Sequence, residues 1–439
     1  MHVLYLQFEA FTDQPGARLP ADFDTATATP LSYLNLLFPP ELISLLVKYT
    51  NMYAASPTAE AGDDPDWRDT TEAEMRAYLG VNILMGLIDE PKMADLWNGL
   101  HNKRIKFLQK TLGQERFTEL MEGFNTSDCK QDPQGDAANQ DPLHKVREFL
   151  DVVSKRFTAH YCPSRELSIE SIVKSSGDPN RLGQRSKSGH KLWMLCDTKT
   201  AYCSGFCIDI EQKVLGYEVA SHITKHLHGS HRWVFLDDDL CKVSVLKSLL
   251  SNGLYACGVM SPKHVPKKLK EQVVASQNTF KVLQLGDTVL TGSKFVQGKP
   301  VYHLSTLSDP SEVCEVVKGI PKGAKGIKLP HAVFTLNRYV GPSNELIYRH
   351  LENYAGQQTK KWWHSIFFFL FNSAIFNAFV IYKEKSAYAA TKKNFQAYDF
   401  RHKLAIELIG GYSYRKHGSG DPSNVENVPP NDGPVPSKA

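Results

Sequence analysis

Three consecutive aspartates, Asp237, Asp238 and Asp239, directly follow the short apolar run Trp233-Val234-Phe235-Leu236 and precede a helix-forming stretch. A carboxylate at the carboxyl end of a strand faces the crevice where open α/β sheets bind ligands. Such a group can hold Mg²⁺, which takes a few hard oxygen ligands and keeps several waters. A second carboxylate, Glu170, lies in the earlier strand-like segment Leu167-Ser168-Ile169-Glu170-Ser171. If those two strands are neighbours, Glu170 and Asp237 can share a pair of metal ions, the arrangement used for in-line phosphoryl displacement. Each residue also has a plainer reading. Aspartate stabilises a helix amino terminus wherever one begins, and polar residues alternate outward along a half-buried strand.

Other groups carry weaker signals. His222, His226, His228 and His231 include an i, i+4 pair, yet no cysteine or carboxylate of zinc-like spacing follows except the acidic run. Basic residues gather at 181–191 (Arg181, Arg185, Lys187, Lys191), at 263–270 (Lys263, Lys267, Lys268) and at 318–328. Each cluster can track a phosphate backbone and each can equally be a solvated loop; the three together favour nucleic acid. The overall balance, 51 basic against 47 acidic residues for a net charge of +4, is too small to argue this alone. The eight cysteines form no C-x-x-C pair and read as core thiols of a reducing compartment. Met1–Gly16 shows neither a basic leader nor a small-residue cleavage site, so an intracellular protein is expected.

The elements that must position these groups divide by periodicity. Residues 1–30 read as a tail and 31–160 as a helical region. Pro40 and Glu41 open one helix with Leu42, Leu45, Leu46 and Tyr49 on its apolar side, and Thr71-x-x-Glu74 is a capping-box start for the next. From Leu167 strand formers dominate, with a hairpin turning at Asp197–Thr200 and strand–helix–strand spacing beyond it. These features predict an α/β protein: a mixed-sheet core begun over 161–265, a β-rich insertion domain over 266–337, and the second part of the core with closing helices over 338–416. The Pro-, Asn-, Ser- and Gly-rich residues 417–439 read as a disordered tail.

One stretch poses a separate question. Trp362–Tyr382 is uncharged over 21 residues, about the length of a bilayer span. It also contains His364, Ser365, Asn372, Ser373 and Asn377, which do not collect on one helix face. In lipid those amides lack partners, whereas a helix buried in a protein core can satisfy them. A core helix, and no membrane, is expected.

The order of segments is more specific than any one of them. LFPPELISLLVKYTNMYA, TEAEMRAYLGVNILMGL, RFTELMEGFNTSD, DPLHKVREFLDVV, LSIES, KSGHKLWMLCD, LHGSHRWVFLDDDLCKVSVLKSLLSNG and KKWWHSIFFFLFNSAIFNAFVIY succeed one another from Leu31 to Tyr382. In this the chain resembles the piggyBac transposases and the domesticated proteins derived from them. The resemblance implies an RNase H-like core with an insertion domain, a helical dimerisation and DNA-binding region, a nuclear location and a DNA partner. It implies a DDE-type site in which three aspartates hold two Mg²⁺ or Mn²⁺ ions for cleavage and joining at TTAA targets. The positions that match the family's triad are Glu170, Asp237 and, eighteen residues before Trp362, Asn344. Two of the three are therefore substituted. Glu170 keeps the charge on a longer side chain, Asn344 removes it, and Glu345 is a possible substitute ligand next door. The family's cysteine-rich zinc module has no counterpart after Gly411. Two functions follow: a domesticated DNA-binding protein with an impaired two-metal site, or an active transposase with a rearranged third ligand.

Overall fold

The computed structural model describes residues 8–56, 67–88, 97, 103–129, 141–175, 189–209, 214–273, 276, 279–294, 299–309, 311–316, 327–340, 361–392 and 394–413. Its strands, numbered along the chain, are β1 (Gly16–Ala17), β2 (Tyr161–Cys162), β3 (Glu166–Ser175), β4 (Gly189–Asp197), β5 (Cys203–Asp209), β6 (Trp233–Leu236), β7 (Tyr255–Met260), β8 (Phe280–Leu285), β9 (Thr288–Ser293), β10 (Val301–Ser305), β11 (Val313–Val316) and β12 (Ile327–Pro330).

Eight of them form one sheet in the order β5-β4-β3-β6-β7-β10-β9-β8. β3, β4 and β5 make an antiparallel meander that turns where Asp197–Thr200 was expected to turn it. β6 and β7 then continue from β3 in parallel, joined through the helix Val243–Ser251. This is the RNase H-like arrangement, an α/β mixed sheet. The two-residue period of β4 decides which layer covers which face. Leu192, Met194 and Cys196 join the helical layer, whereas Trp193 and Leu195 face the helices Gly216–Thr224 and Val243–Ser251.

Beyond β7 the β-rich segment continues the same sheet. β10 pairs antiparallel with β7, β9 with β10 and β8 with β9, so these strands extend the core by hydrogen bonds. β11 and β12 form a separate ribbon. The strand pattern ends at Pro330, and residues 331–340, whose first part was read with the β-rich segment, are helical.

The helical layer follows the expected starts. Pro40 opens Pro40–Ala54, and Thr71 caps Glu72–Met85 by accepting the Glu74 N–H at 3.2 Å. The Glu74 carboxylate does not turn back to complete a capping box. It pairs instead with Arg116 of the helix Gln114–Gly123 at 2.7 Å, a contact between two helices that local spacing cannot foresee. Residues 8–29, grouped in sequence as a tail, are strapped across the core. β1 pairs with β2, the Ala17 N–H donates to Glu384 Oε1 at 3.2 Å, and Asp13 binds Arg232 at 2.6 Å.

The long apolar segment forms the helix Trp362–Lys385, the one helix among the described residues with the length and composition of a span. Of its apolar window 94% is buried inside the protein, and its amides have protein partners. Asn377 accepts from the Cys203 N–H and donates to the Cys203 carbonyl, both at 2.8 Å, which seals the end of strand β5. Asn372 accepts from Arg401 at 2.8 Å and donates to the Phe368 carbonyl at 3.0 Å. His364 lies 3.4 Å from the Phe124 carbonyl.

Candidate functional site

Parallel pairing of β3 with β6 sets Ile169 beside Leu236. The next residue on each strand is a carboxylate, Glu170 and Asp237. Neighbouring strands lie about 4.8 Å apart, so the register alone makes these two side chains neighbours. Leu167, Ile169, Val234 and Leu236 point into the core beneath the helices Gly216–Thr224 and Val243–Ser251. By alternation Glu170 and Asp237 project from the opposite face, at the carboxyl end of β6. The structure thus brings together the two carboxylates that lie far apart in sequence.

The electrostatics record this proximity. Burial, followed by the Asp237 charge, raises the Glu170 pKa to about 8. Burial also raises Asp237, offset in part by the Ser171 hydroxyl and by the Leu240 N–H, which donates to Oδ1 at 3.0 Å. Asp237 Oδ2 is buried and has no hydrogen-bond partner. A buried carboxylate oxygen without a donor is costly, and together with a second carboxylate it is the donor set a divalent cation accepts. Asp239, the third member of the acidic run, is engaged differently: Lys191 Nζ binds its Oδ2 at 2.7 Å. Lys191, expected to face DNA as part of a basic loop, is at 25% exposure an internal cation at the rim of the carboxylate pair.

The remaining predicted positions fall in three groups. Asn344 and Glu345 lie outside the described residues, as do Arg181, Arg185 and Lys187. The chain enters residues 341–360 from the helix at 331–340, whose Tyr339 stacks on Phe235 at 6.0 Å, two residues before Asp237. Lys263, Lys267 and Lys268 are exposed beyond the carboxyl end of β7, the same sheet end that carries Asp237. His226, His228 and His231 lie at the other end, before β6; among the described residues no group of three or more His, Cys, Asp or Glu side chains could hold a metal ion. Ser171 and Lys191 were not assigned to the carboxylate pair from sequence. A register argument through β3 and β4 is the signal that places them there.

The transposase IS4 family profile matches residues 29–379. The chain belongs to that family. Within the transposase IS4 family it is 20% identical over 422 residues to piggyBac transposable element-derived protein 5 of Homo sapiens, covering 88% of this chain and 76% of that protein. It is 22% identical over 401 residues to piggyBac transposable element-derived protein 3 of Homo sapiens, covering 83% of this chain and 63% of that protein. The piggyBac transposase in a cryo-EM structure of a synaptic complex with hairpin DNA has the same fold, with a TM-score of 0.75. That match covers 97% of this chain and 90% of the other at 22% identity. The piggyBac resemblance and the RNase H-like fold read from the sequence are both borne out.

Proposed function

We propose that this chain is a domesticated transposase-derived protein that binds DNA in the nucleus, as a homodimer, with an impaired two-metal site. The observation that carries the reading is the pairing of Glu170 with Asp237 at the carboxyl end of the sheet; the family resemblance assigns the third position to Asn344. Glu170 and Asp237 would hold Mg²⁺ or Mn²⁺, which when bound supplies charge stabilisation for phosphoryl displacement. The chain's own contribution is to place two carboxylates side by side, keep Asp237 Oδ2 open, and hold Lys191 within reach of Asp239. An amide at Asn344 offers a neutral oxygen where two divalent ions require a charged one.

Lys263, Lys267 and Lys268 support the DNA-binding part, because they lie exposed at the carboxylate end of the sheet. Phosphate contacts make such binding fall steeply with salt. A gel shift with duplex DNA across a salt series tests it, and no complex even at low salt removes the claim. A second reading, an active transposase using Glu345 as third ligand, is favoured by the open oxygen of Asp237. Excision of a TTAA-flanked donor, abolished by Asp237→Ala, would establish that reading in place of the first.

A further inference from the structure

At the other end of the parallel strands the chain builds a second polar pocket. It has a volume of about 240 Å³ and lies between the 8–18 strap and the loops that enter β3 and β6. Arg18, His226, His228, Ser230 and Arg232 line it, and Asp13 is the one carboxylate on its described wall. Counting the five strand positions from Arg232 to Asp237 at about 3.3 Å each puts the two ends roughly 16 Å apart. A group bound here therefore cannot touch the carboxylate pair.

The pocket is held rigidly. Arg232 is 1% exposed. Its Nε donates to the Ser164 carbonyl at 3.2 Å, Nη2 to the Pro163 carbonyl at 2.9 Å and to Cys162 Sγ at 3.3 Å, and Nη1 to Asp13 Oδ2 at 2.6 Å. The Phe11 ring lies 4.7 Å from the guanidinium. Of the five N–H donors a guanidinium carries, one on Nη1 is left for another acceptor. The loop bearing His228 and Ser230 is pinned by two bonds: the Gly229 N–H donates to the Asn252 carbonyl at 2.8 Å and the His231 N–H to the Gly253 carbonyl at 2.9 Å. Gly229 and His231 adopt φ of 76° and 54°. A Cβ at Gly253 would lie 2.8 Å from the Gly229 Cα, so the two loops meet backbone to backbone.

Charge then decides what fits. Asp13 balances Arg232, while Arg18 is exposed and has no ion-pair partner among the described residues. Burial and, after it, the charges of Arg232 and His228 hold the His226 imidazole below its usual pKa, yet the residue is exposed at the pocket wall, so the burial part is small and the neighbouring cations are what mark a positive field. Two guanidiniums and two imidazoles around a space of this size suit a tetrahedral oxyanion, which takes several donors at once, while the Ser230 hydroxyl gives its hydrogen to the Leu227 carbonyl.

We propose that this pocket binds a phosphate group through Arg18, His226, His228 and Arg232. Inorganic phosphate and a DNA backbone phosphate share that chemistry. The test is calorimetric titration of the full chain with inorganic phosphate, against chloride of equal ionic strength. Saturable binding is expected. Arg18→Ala combined with His228→Ala should weaken it about tenfold or more, with an unchanged thermal midpoint in chloride, since both side chains are exposed. Asp13→Asn should tighten it several-fold by releasing Arg232, a gain that no purely structural role of Asp13 produces. If a short DNA duplex displaces the phosphate, the backbone is the source, and the double variant should reduce the salt slope of DNA binding by about one or two. If the duplex leaves phosphate affinity unchanged, the ligand is a small phosphate compound. Absence of saturable binding by the unmodified chain, or equal affinity in the double variant, overturns the assignment.

Discussion

Replacing Glu170 by glutamine removes one proton site from the carboxylate pair while keeping its size, and the consequence can be worked out. Burial and the adjoining Asp237 raise the Glu170 pKa to about 8, against roughly 4.3 in an unfolded chain. With the folded pKa above the unfolded one, the folded chain retains a proton that the unfolded chain has already released. Stability from this group is therefore complete below about pH 4.3 and is lost progressively as pH rises to about 8. At 1.36 kcal/mol per unit the full shift corresponds to roughly 5 kcal/mol. Glu170 keeps some contact with water, which screens the pair, so roughly 2 kcal/mol is the expected loss. Urea unfolding of both proteins in EDTA, at one-unit steps from about pH 5 to 9, reads the difference between them. Glu170→Gln should gain steadily on the unmodified chain up to about pH 8 and then hold constant. Millimolar Mg²⁺ or Mn²⁺ at the alkaline end should restore the unmodified chain and leave the variant behind, because the ion takes the place of the proton. Parallel pH curves for the two proteins would refute the buried, coupled pair.

Three further outcomes follow from particular contacts. Asn377→Leu leaves the Cys203 N–H and carbonyl unpaired in the core and should cost roughly 2–4 kcal/mol, seen as a lower thermal midpoint. Arg116→Leu leaves the Glu74 carboxylate, which is 2% exposed, with Arg68 at 2.9 Å and the Tyr412 hydroxyl at 2.8 Å as partners; a loss of roughly 2–3 kcal/mol in urea unfolding is expected, with Glu74→Gln, Arg116→Leu together losing less than Arg116→Leu alone. Lys191→Ala removes the ammonium bound to Asp239 at the rim of the carboxylate pair, an ion pair 25% and 40% exposed, and should cost roughly 0.5–1 kcal/mol in urea unfolding, less at high salt.

What could be read in the sequence was whatever local pattern dictates. The apolar run before Asp237 gave β6, the strand formers around Asp197–Thr200 gave the β4–β5 hairpin, and Thr71 marked its helix cap. The pairing of Glu170 with Asp237 was legible as a conditional: it needed β3 and β6 to be neighbours, and the parallel register supplies that. Long-range pairings were hidden because nothing local encodes them. Glu74 has the spacing of a capping box, yet its carboxylate gains more from Arg116 in a site where both are buried. Residues 8–18 have no helix or strand period, being broken by Glu9, Thr12, Asp13, Gln14 and Pro15, so the pattern gave no hint that Asp13 and Phe11 would close over Arg232. The β-rich segment was legible from its alternating strand candidates and glycine-containing turns, but its attachment to the core through β10 on the open edge of β7 is a long-range pairing that nothing local encodes.

If Glu170, Asp237 and Asn344 occupy the three carboxylate positions that the resemblance implies, the two changes act on one quantity, the negative charge available to divalent ions. Three ionised carboxylates would carry three charges; with Asn344 the ceiling is two. With a Glu170 pKa of about 8, one of those two is protonated at neutral pH until something displaces the proton. The Lys191 ammonium, bound to Asp239 at 2.7 Å, adds a positive charge at the rim. A first ion can still bind by expelling the Glu170 proton, so its affinity should rise as pH approaches about 8. A second ion would meet a pair already neutralised by the first, with only an amide oxygen at the third position, and Coulomb repulsion between divalent ions is large wherever water is excluded. Single-ion occupancy in a metal titration is therefore the specific consequence of Asn344. Restoring Asn344→Asp should add the second ion, whereas restoring Glu170→Asp alone should not, since that change moves a carboxylate without adding charge.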